Sequence, residues 1–140
     1  MISSIKNFYQ SCKSWFNFSQ RRRELYNSWE QAAQQGDTRA RYRLLMLYYE
    51  EKPEYYPMAF KWALHQAKHG GDCGVSLQVA DMYVSGHGTQ KDEKQALLWY
   101  ERALSQHILL GKRSPLSVQT SNYIQQQIES LRKQHGFVEM

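Results

Sequence analysis

A phrase in this chain occurs nearly twice, with copies about 35–37 residues apart. Asp37-Thr-Arg-Ala40, Leu44-Leu-Met-Leu-Tyr48, Ala59-Phe-Lys-Trp62 and Ala67-Lys-His-Gly70 are answered by Asp72-Cys-Gly-Val75, Val79-Ala-Asp-Met-Tyr83, Ala96-Leu-Leu-Trp99 and Ala103. A partial copy, Trp29-Glu-Gln-Ala-Ala33-Gln-Gln-Gly36, precedes both. A period of this size in helix-compatible residues indicates stacked helical hairpins. One hairpin cannot bury its apolar face alone, so hairpins stack and create an extended surface suited to gripping another protein.

The local spacing supports this reading. Over residues 37–51, the apolar positions Ala40, Leu44, Leu47 and Tyr48 recur at helical intervals. Asp37 is a natural N-cap, since its carboxylate can accept from first-turn N–H groups. Pro53 and Pro57 bracket a break. The helical pattern resumes over 58–69 through Ala59, Trp62, Ala63 and Ala67, and Gly70-Gly71 ends it. Asp72 caps the next helix, with Val75, Leu77, Val79, Ala80 and Tyr83 expected inward and Gly86-His-Gly88 as its stop. Asp92-Glu-Lys-Gln95 reads as a capping box. It opens a helix in which Ala96, Trp99, Tyr100 and Ala103 alternate small and aromatic residues, as close helix packing requires.

The ends read as caps. Ile5, Phe8, Cys12, Trp15 and Phe16 form an apolar stripe before the Arg21-Arg-Arg23 run. The stripe has three readings: the first helix of a degenerate hairpin, a dock for a partner or a second copy, or a helix lying in a membrane plane. The hairpin is preferred, because a stack must cover its end. At the other end, Ser114-Pro115 opens a capping helix with Val118, Ile124, Ile128 and Leu131 inward and Gly136 as its stop.

Tyr83-Val-Ser-Gly86-His-Gly88-Thr-Gln-Lys-Asp92-Glu-Lys-Gln-Ala96-Leu-Leu-Trp99-Tyr100-Glu-Arg-Ala103 resembles the Sel1-like repeat, a relative of the tetratricopeptide repeat. The preceding copy is similar at Ala40, Tyr42, Leu44, Tyr48, Ala59, Trp62, Ala67 and Gly70. It departs at Leu45, where the family prefers glycine. It departs again at Glu50-Glu-Lys-Pro53-Glu-Tyr-Tyr56, which replaces the Gly-x-Gly loop. The resemblance implies an all-α, right-handed α/α superhelix, or solenoid. Its parts would be a degenerate N-terminal hairpin (1–36), repeats at 37–71 and 72–107, and a C-terminal capping helix (114–136), together forming a single domain. It further implies a non-enzymatic protein-interaction module without a cofactor, binding a partner on its concave face. Small stand-alone members could serve as bacterial immunity proteins that neutralise a secreted toxin, or as adaptors in a secretion or envelope pathway.

Partner contacts are expected from the first helix of each hairpin and from the 51–57 loop. The candidates are Arg39, Tyr42, Arg43, Met46, Tyr49, Tyr55, Tyr56, Gln78 and Asp81, among which Tyr and Arg are the types that anchor interfaces. Tyr42 fits a core position equally well. Trp29, Trp62, Trp99, Tyr48, Tyr83 and Tyr100 recur with the repeat and are expected in the core. His65, His69 and Cys73 carry metal-ligand chemistry at suggestive spacing, yet exposed helix-end histidines explain them better. No phosphate-binding loop or recognisable catalytic arrangement stands out.

A net charge of +5 favours an acidic or mixed-charge partner. The cations are scattered without a nucleic-acid-binding signature, which makes nucleic acid an unfavoured partner. Cys12 and Cys73 do not form a disulfide framework. No stretch approaches the ~20 apolar residues that cross a bilayer, and the first residues do not read as a signal peptide. A cytoplasmic protein is expected.

Overall fold

Short polar side chains decide where the helices begin. The computed structural model describes residues 2–136, apart from the side chains of residues 2, 15 and 16. Among the described residues the chain is all α-helical, without strands: α1 (Ile2–Gln34), α2 (Thr38–Met46), α3 (Tyr56–Lys68), α4 (Cys73–Ser85), α5 (Glu93–Leu110) and α6 (Val118–His135). Short 3-10 turns at Leu47–Glu50, Pro53–Tyr55 and Gly111–Arg113 fill three of the connections.

Asp37 Oδ1 accepts from the N–H groups of Arg39 (2.9 Å) and Ala40 (3.2 Å), and so starts α2. Asp72 does the same for α4 through Val75 N–H at 3.0 Å, and Asp92 for α5 through Gln95 N–H at 3.1 Å. The expected capping box is only half formed. The Asp92 N–H donates to the Tyr83 carbonyl at 3.0 Å, so the Gln95 side chain has no orphan donor there to receive. Ser117, not Ser114, caps the last helix, accepting from Thr120 N–H at 3.1 Å. Val118 is therefore the first helical residue and stands 77% exposed, contrary to the inward position expected for it. Pro57 sits in the first turn of α3, where a missing N–H costs nothing, so the break ends earlier than the prolines suggest.

The chain falls into two compact units divided between Leu44 and Leu45, inside α2 and inside the segment read as the first full repeat. The first unit corrects the hairpin expected over residues 1–36. α1 is one unbroken helix of 33 residues, because no Gly or Pro occurs before Gly36 to interrupt it. The described members of its stripe are not buried: Phe8 is 72% exposed, and Ile5 and Cys12 are exposed, as are Tyr9 and Phe18 on the same helix. Trp15 and Phe16 lie outside the described side chains. Burial begins at Tyr26 and Ala33. The Arg41 guanidinium donates to the Ala33 carbonyl at 3.0 Å, and Arg43 lies over the Trp29 ring at 5.5 Å.

In the second unit, α4 and α5 pack most extensively, followed by α5 with α6 and α3 with α4. Ala59, Trp62, Ala63 and Ala67 of α3 and Ala96, Trp99, Tyr100 and Ala103 of α5 are all buried. Small residues let the axes approach, and the rings fill the adjoining space. On α4, Val75, Val79 and Ala80 are buried as expected, but Leu77 and Tyr83 are only half-buried while Ser76, Gln78 and Met82 are fully enclosed. Enclosure of the polar pair is offset by hydrogen bonds, from Ser76 Oγ to Gln106 Oε1 (2.9 Å) and from Gln78 Nε2 to the Leu45 carbonyl (2.8 Å). Glu101–Arg132 and Glu93–His135 contacts, each 2.7 Å, run α5 and α6 antiparallel.

The 86–90 loop folds back on the start of α3. Gly86 and Gly88 both have positive φ, and a Cβ at Gly88 would fall 2.2 Å from the Tyr56 carbonyl oxygen. Gly136, also at positive φ, has no atom of the described residues within 4 Å of such a Cβ. Replacement of Gly136 by Ala should therefore cost only about 1 kcal/mol, for the left-handed backbone. Gly88→Ala must also displace backbone and should cost ~2–4 kcal/mol. Urea unfolding of the two variants checks this, and equal losses would refute the close approach at Gly88.

Candidate functional site

Asp81 faces inward from the third turn of α4, and burial of a carboxylate requires donors. Tyr100 of α5 donates its hydroxyl to Asp81 Oδ1 at 2.5 Å, and Tyr123 of α6 donates to the same oxygen at 3.1 Å. The rings of Tyr100 and Tyr123 meet edge to face, with centroids 6.4 Å apart. Three helices thus converge on one carboxylate. Burial raises the Asp81 pKa above the usual carboxylate range, and the two phenol hydrogen bonds oppose that rise without cancelling it. No cationic side chain among the described residues contributes to the balance. Tyr100 is held neutral at any ordinary pH, first by burial and then by the Asp81 charge. Burial and Asp81 also raise the pKa of Tyr123.

An aromatic patch adjoins this carboxylate. The Tyr48 phenol is raised in pKa by burial and, to a lesser degree, by the nearby Asp81 charge. Its hydroxyl shares a hydrogen bond of 3.1 Å with His87 Nδ1. The Tyr56 ring lies 4.7 Å from the His87 ring and 5.2 Å from that of Tyr48. Tyr49, 59% exposed, meets Tyr48 edge to face at 5.5 Å. The loop geometry that requires glycine at position 88 is what carries His87 onto these tyrosines.

Of the residues expected to contact a partner, Tyr49, Tyr56 and Asp81 come together here. Met46 is exposed and Tyr55 half-exposed in the same unit. Arg39, Tyr42 and Arg43 are exposed in the first unit, so Tyr42 presents a surface there and not a core position. Gln78 is a correction: at 2% exposure, with its amide spent on the Leu45 carbonyl, it has nothing to offer a partner. Tyr48 is a second correction, a half-exposed member of the patch and not a core residue. His87, Tyr100 and Tyr123 were not singled out as site residues. The Asp81-to-Tyr123 pairing spans 42 positions, and no spacing rule reaches across the irregular Gly111–Arg113 connection.

His65 and His69 stack at 4.3 Å, with His69 Nδ1 on the His65 carbonyl at 2.8 Å. Cys73 is buried beside Ser114 Oγ at 3.7 Å, and no three His, Cys, Asp or Glu side chains among the described residues converge on a point that could hold a metal ion. No helix of the described residues is long and apolar enough to cross a membrane. No family model and no curated protein matches the chain.

Asp81 gives a signed pH dependence. The folded chain holds its proton more tightly than the unfolded chain, so its contribution to stability is fully present below the usual carboxylate pKa of ~3.9 and is lost as pH rises through the raised folded value. Asp81→Asn removes that loss. The stability of the wild type relative to Asp81→Asn, measured by urea unfolding from about pH 3.5 to 7, should decline as pH rises. Parallel curves would show that Asp81 titrates as an ordinary surface carboxylate.

Proposed function

We propose that this protein is a non-enzymatic binding module that holds a partner protein on the Tyr48–Tyr49–Tyr56–His87 patch and the adjoining Asp81. One observation carries the reading. A half-buried carboxylate with no cation beside it is continuous, through Tyr48, with exposed and half-exposed tyrosines. Perturbed ionisable groups gather at functional sites. Tyrosine supplies a large apolar face with a polar tip, and for that reason dominates interface hot spots.

We read residues 37–107 as Sel1-like hairpins stacked in a right-handed superhelix; the α4–α5 packing and the positive-φ glycines at 86 and 88 fit such hairpins. In such a stack, α4 would line the concave face with Asp81 upon it. The two free thiols, Cys12 and Cys73, fit a reducing compartment such as the cytoplasm. An immunity protein and an adaptor would both use this surface, and the partner's own activity separates them.

Capture of the tagged protein from cells that express it, at moderate salt, should recover one dominant, near-stoichiometric protein. Tyr49→Ala should then weaken binding of that purified partner by about ten-fold or more while changing stability by less than ~0.5 kcal/mol. An unchanged dissociation constant for Tyr49→Ala would remove the patch from the interface. Recovery of nucleic acid alone, with affinity falling steeply as salt rises, would replace the whole reading.

A further inference from the structure

Both phenols that reach Asp81 donate to the same oxygen, Oδ1. Oδ2 makes no hydrogen bond to the described residues, yet it is not sealed from solvent. Asp81 forms no ion pair among the described residues either. The site therefore presents an acceptor oxygen carrying charge, half removed from water, with tyrosines of three elements around it: Tyr48 from the Leu47–Glu50 turn, Tyr100 from α5 and Tyr123 from α6.

The chemistry of that oxygen selects its ligand. A neutral donor would leave the charge uncompensated in a poorly hydrated place, whereas a cation both compensates it and hydrogen-bonds to it. A bare metal ion would need further ligands, and no three suitable side chains converge. Among organic cations, a guanidinium is more weakly hydrated than an ammonium and stacks on aromatic faces, which suits a carboxylate set among phenol rings. The chain's net charge of +5 does not oppose this, because charges beyond about 8 Å are screened at physiological salt and Asp81 has no cationic neighbour acting on it.

We propose that Asp81 Oδ2 receives the guanidinium of an arginine side chain presented by the partner protein, with Tyr48 and Tyr123 beside it. The proposal rests on the binding-module reading and specifies its chemistry. It shifts the expected partner from acidic towards mixed charge, with an exposed arginine at the centre of its contact surface.

The test uses the isolated full chain, so its outcome is independent of finding the partner. The isotopically labelled protein is titrated with N-acetyl-arginine amide and, separately, with the citrulline and lysine analogues, and amide shifts are followed by NMR. The arginine probe should give weak, saturable shifts confined to the surroundings of Tyr48, Asp81 and Tyr123. The citrulline analogue, similar in shape but uncharged, should give none. Asp81→Asn, whose amide oxygen can still accept from Tyr100 and Tyr123, should abolish the response while leaving amides away from the α4–α5–α6 junction unshifted. Tyr123→Ala, which removes a ring already 41% exposed, should weaken the response several-fold. Three results overturn the proposal: no saturable response, a response to citrulline equal to that to arginine, or a response that survives Asp81→Asn. Tighter binding of the lysine probe would overturn the choice of guanidinium. Failure here combined with loss of partner binding in Tyr49→Ala would leave the binding module standing and remove only the arginine.

Discussion

Tyr100 has no exposed surface, and a buried phenol must find a hydrogen-bond partner or forfeit about 1–3 kcal/mol of desolvation. The acceptor it finds is Asp81, on the neighbouring helix. That choice propagates. A carboxylate drawn towards the core needs more than one donor, and α6 supplies the second through Tyr123. One carboxylate thus ties α4 to both α5 and α6, in addition to the apolar packing between those helices. An apolar ring at position 100 would fill the same space without an acceptor. The phenol instead holds a carboxylate where α4, α5 and α6 meet.

The energetics of Asp81 are those of a carboxylate held against the cost of burial. Two phenol hydrogen bonds favour the ionised form, but burial outweighs them and no cation assists. A group selected for stability alone would be paired, as Glu101 is with Arg132, or neutral, as Gln78 is against the Leu45 carbonyl. Asp81 has neither arrangement. Its remaining oxygen makes no hydrogen bond to the described residues and is not sealed from solvent, which is the opening the proposed arginine would use.

How much of this was legible in the sequence depended on whether neighbouring side chains decide position or merely tolerate it. α3 and α5 were readable because alternating Ala and aromatic residues leave one packing solution, and the Asp caps because a carboxylate three residues ahead of a free N–H leaves few alternatives. α1 misled through its composition. The apolar stripe suggested a covered hairpin, although no Gly or Pro existed to turn the chain before Gly36. Gln78 misled through its polarity, since an amide can be buried once its donor meets a carbonyl, and that carbonyl lies 33 residues away. Asp81 is expected at a partner contact because it lies on the first helix of its hairpin, but its phenol partners are not visible in the sequence. Tyr123 belongs to a helix that begins at Val118, three residues after Pro115, where Ser117 and not Ser114 provides the cap.

The 86–90 loop shows how a structural requirement and the proposed binding surface can share residues. Gly88 is needed because the Tyr56 carbonyl occupies the place of a Cβ. The same close approach sets His87 against Tyr48 and Tyr56, and so limits how those two tyrosines can move. Interface aromatics that are already fixed lose less entropy when a partner arrives, and the affinity of a Tyr-rich surface depends on that saving as much as on its area. In the preceding segment, 50–56, no such glycine pair exists, and the chain turns instead through Glu51 at a φ of 55° and the Pro53–Tyr55 3-10 turn. That irregular connection delivers Tyr55 and Tyr56 towards the surface. The two connections therefore do complementary work: the 50–56 segment supplies aromatic side chains, and the 86–90 loop holds them in place beside the carboxylate.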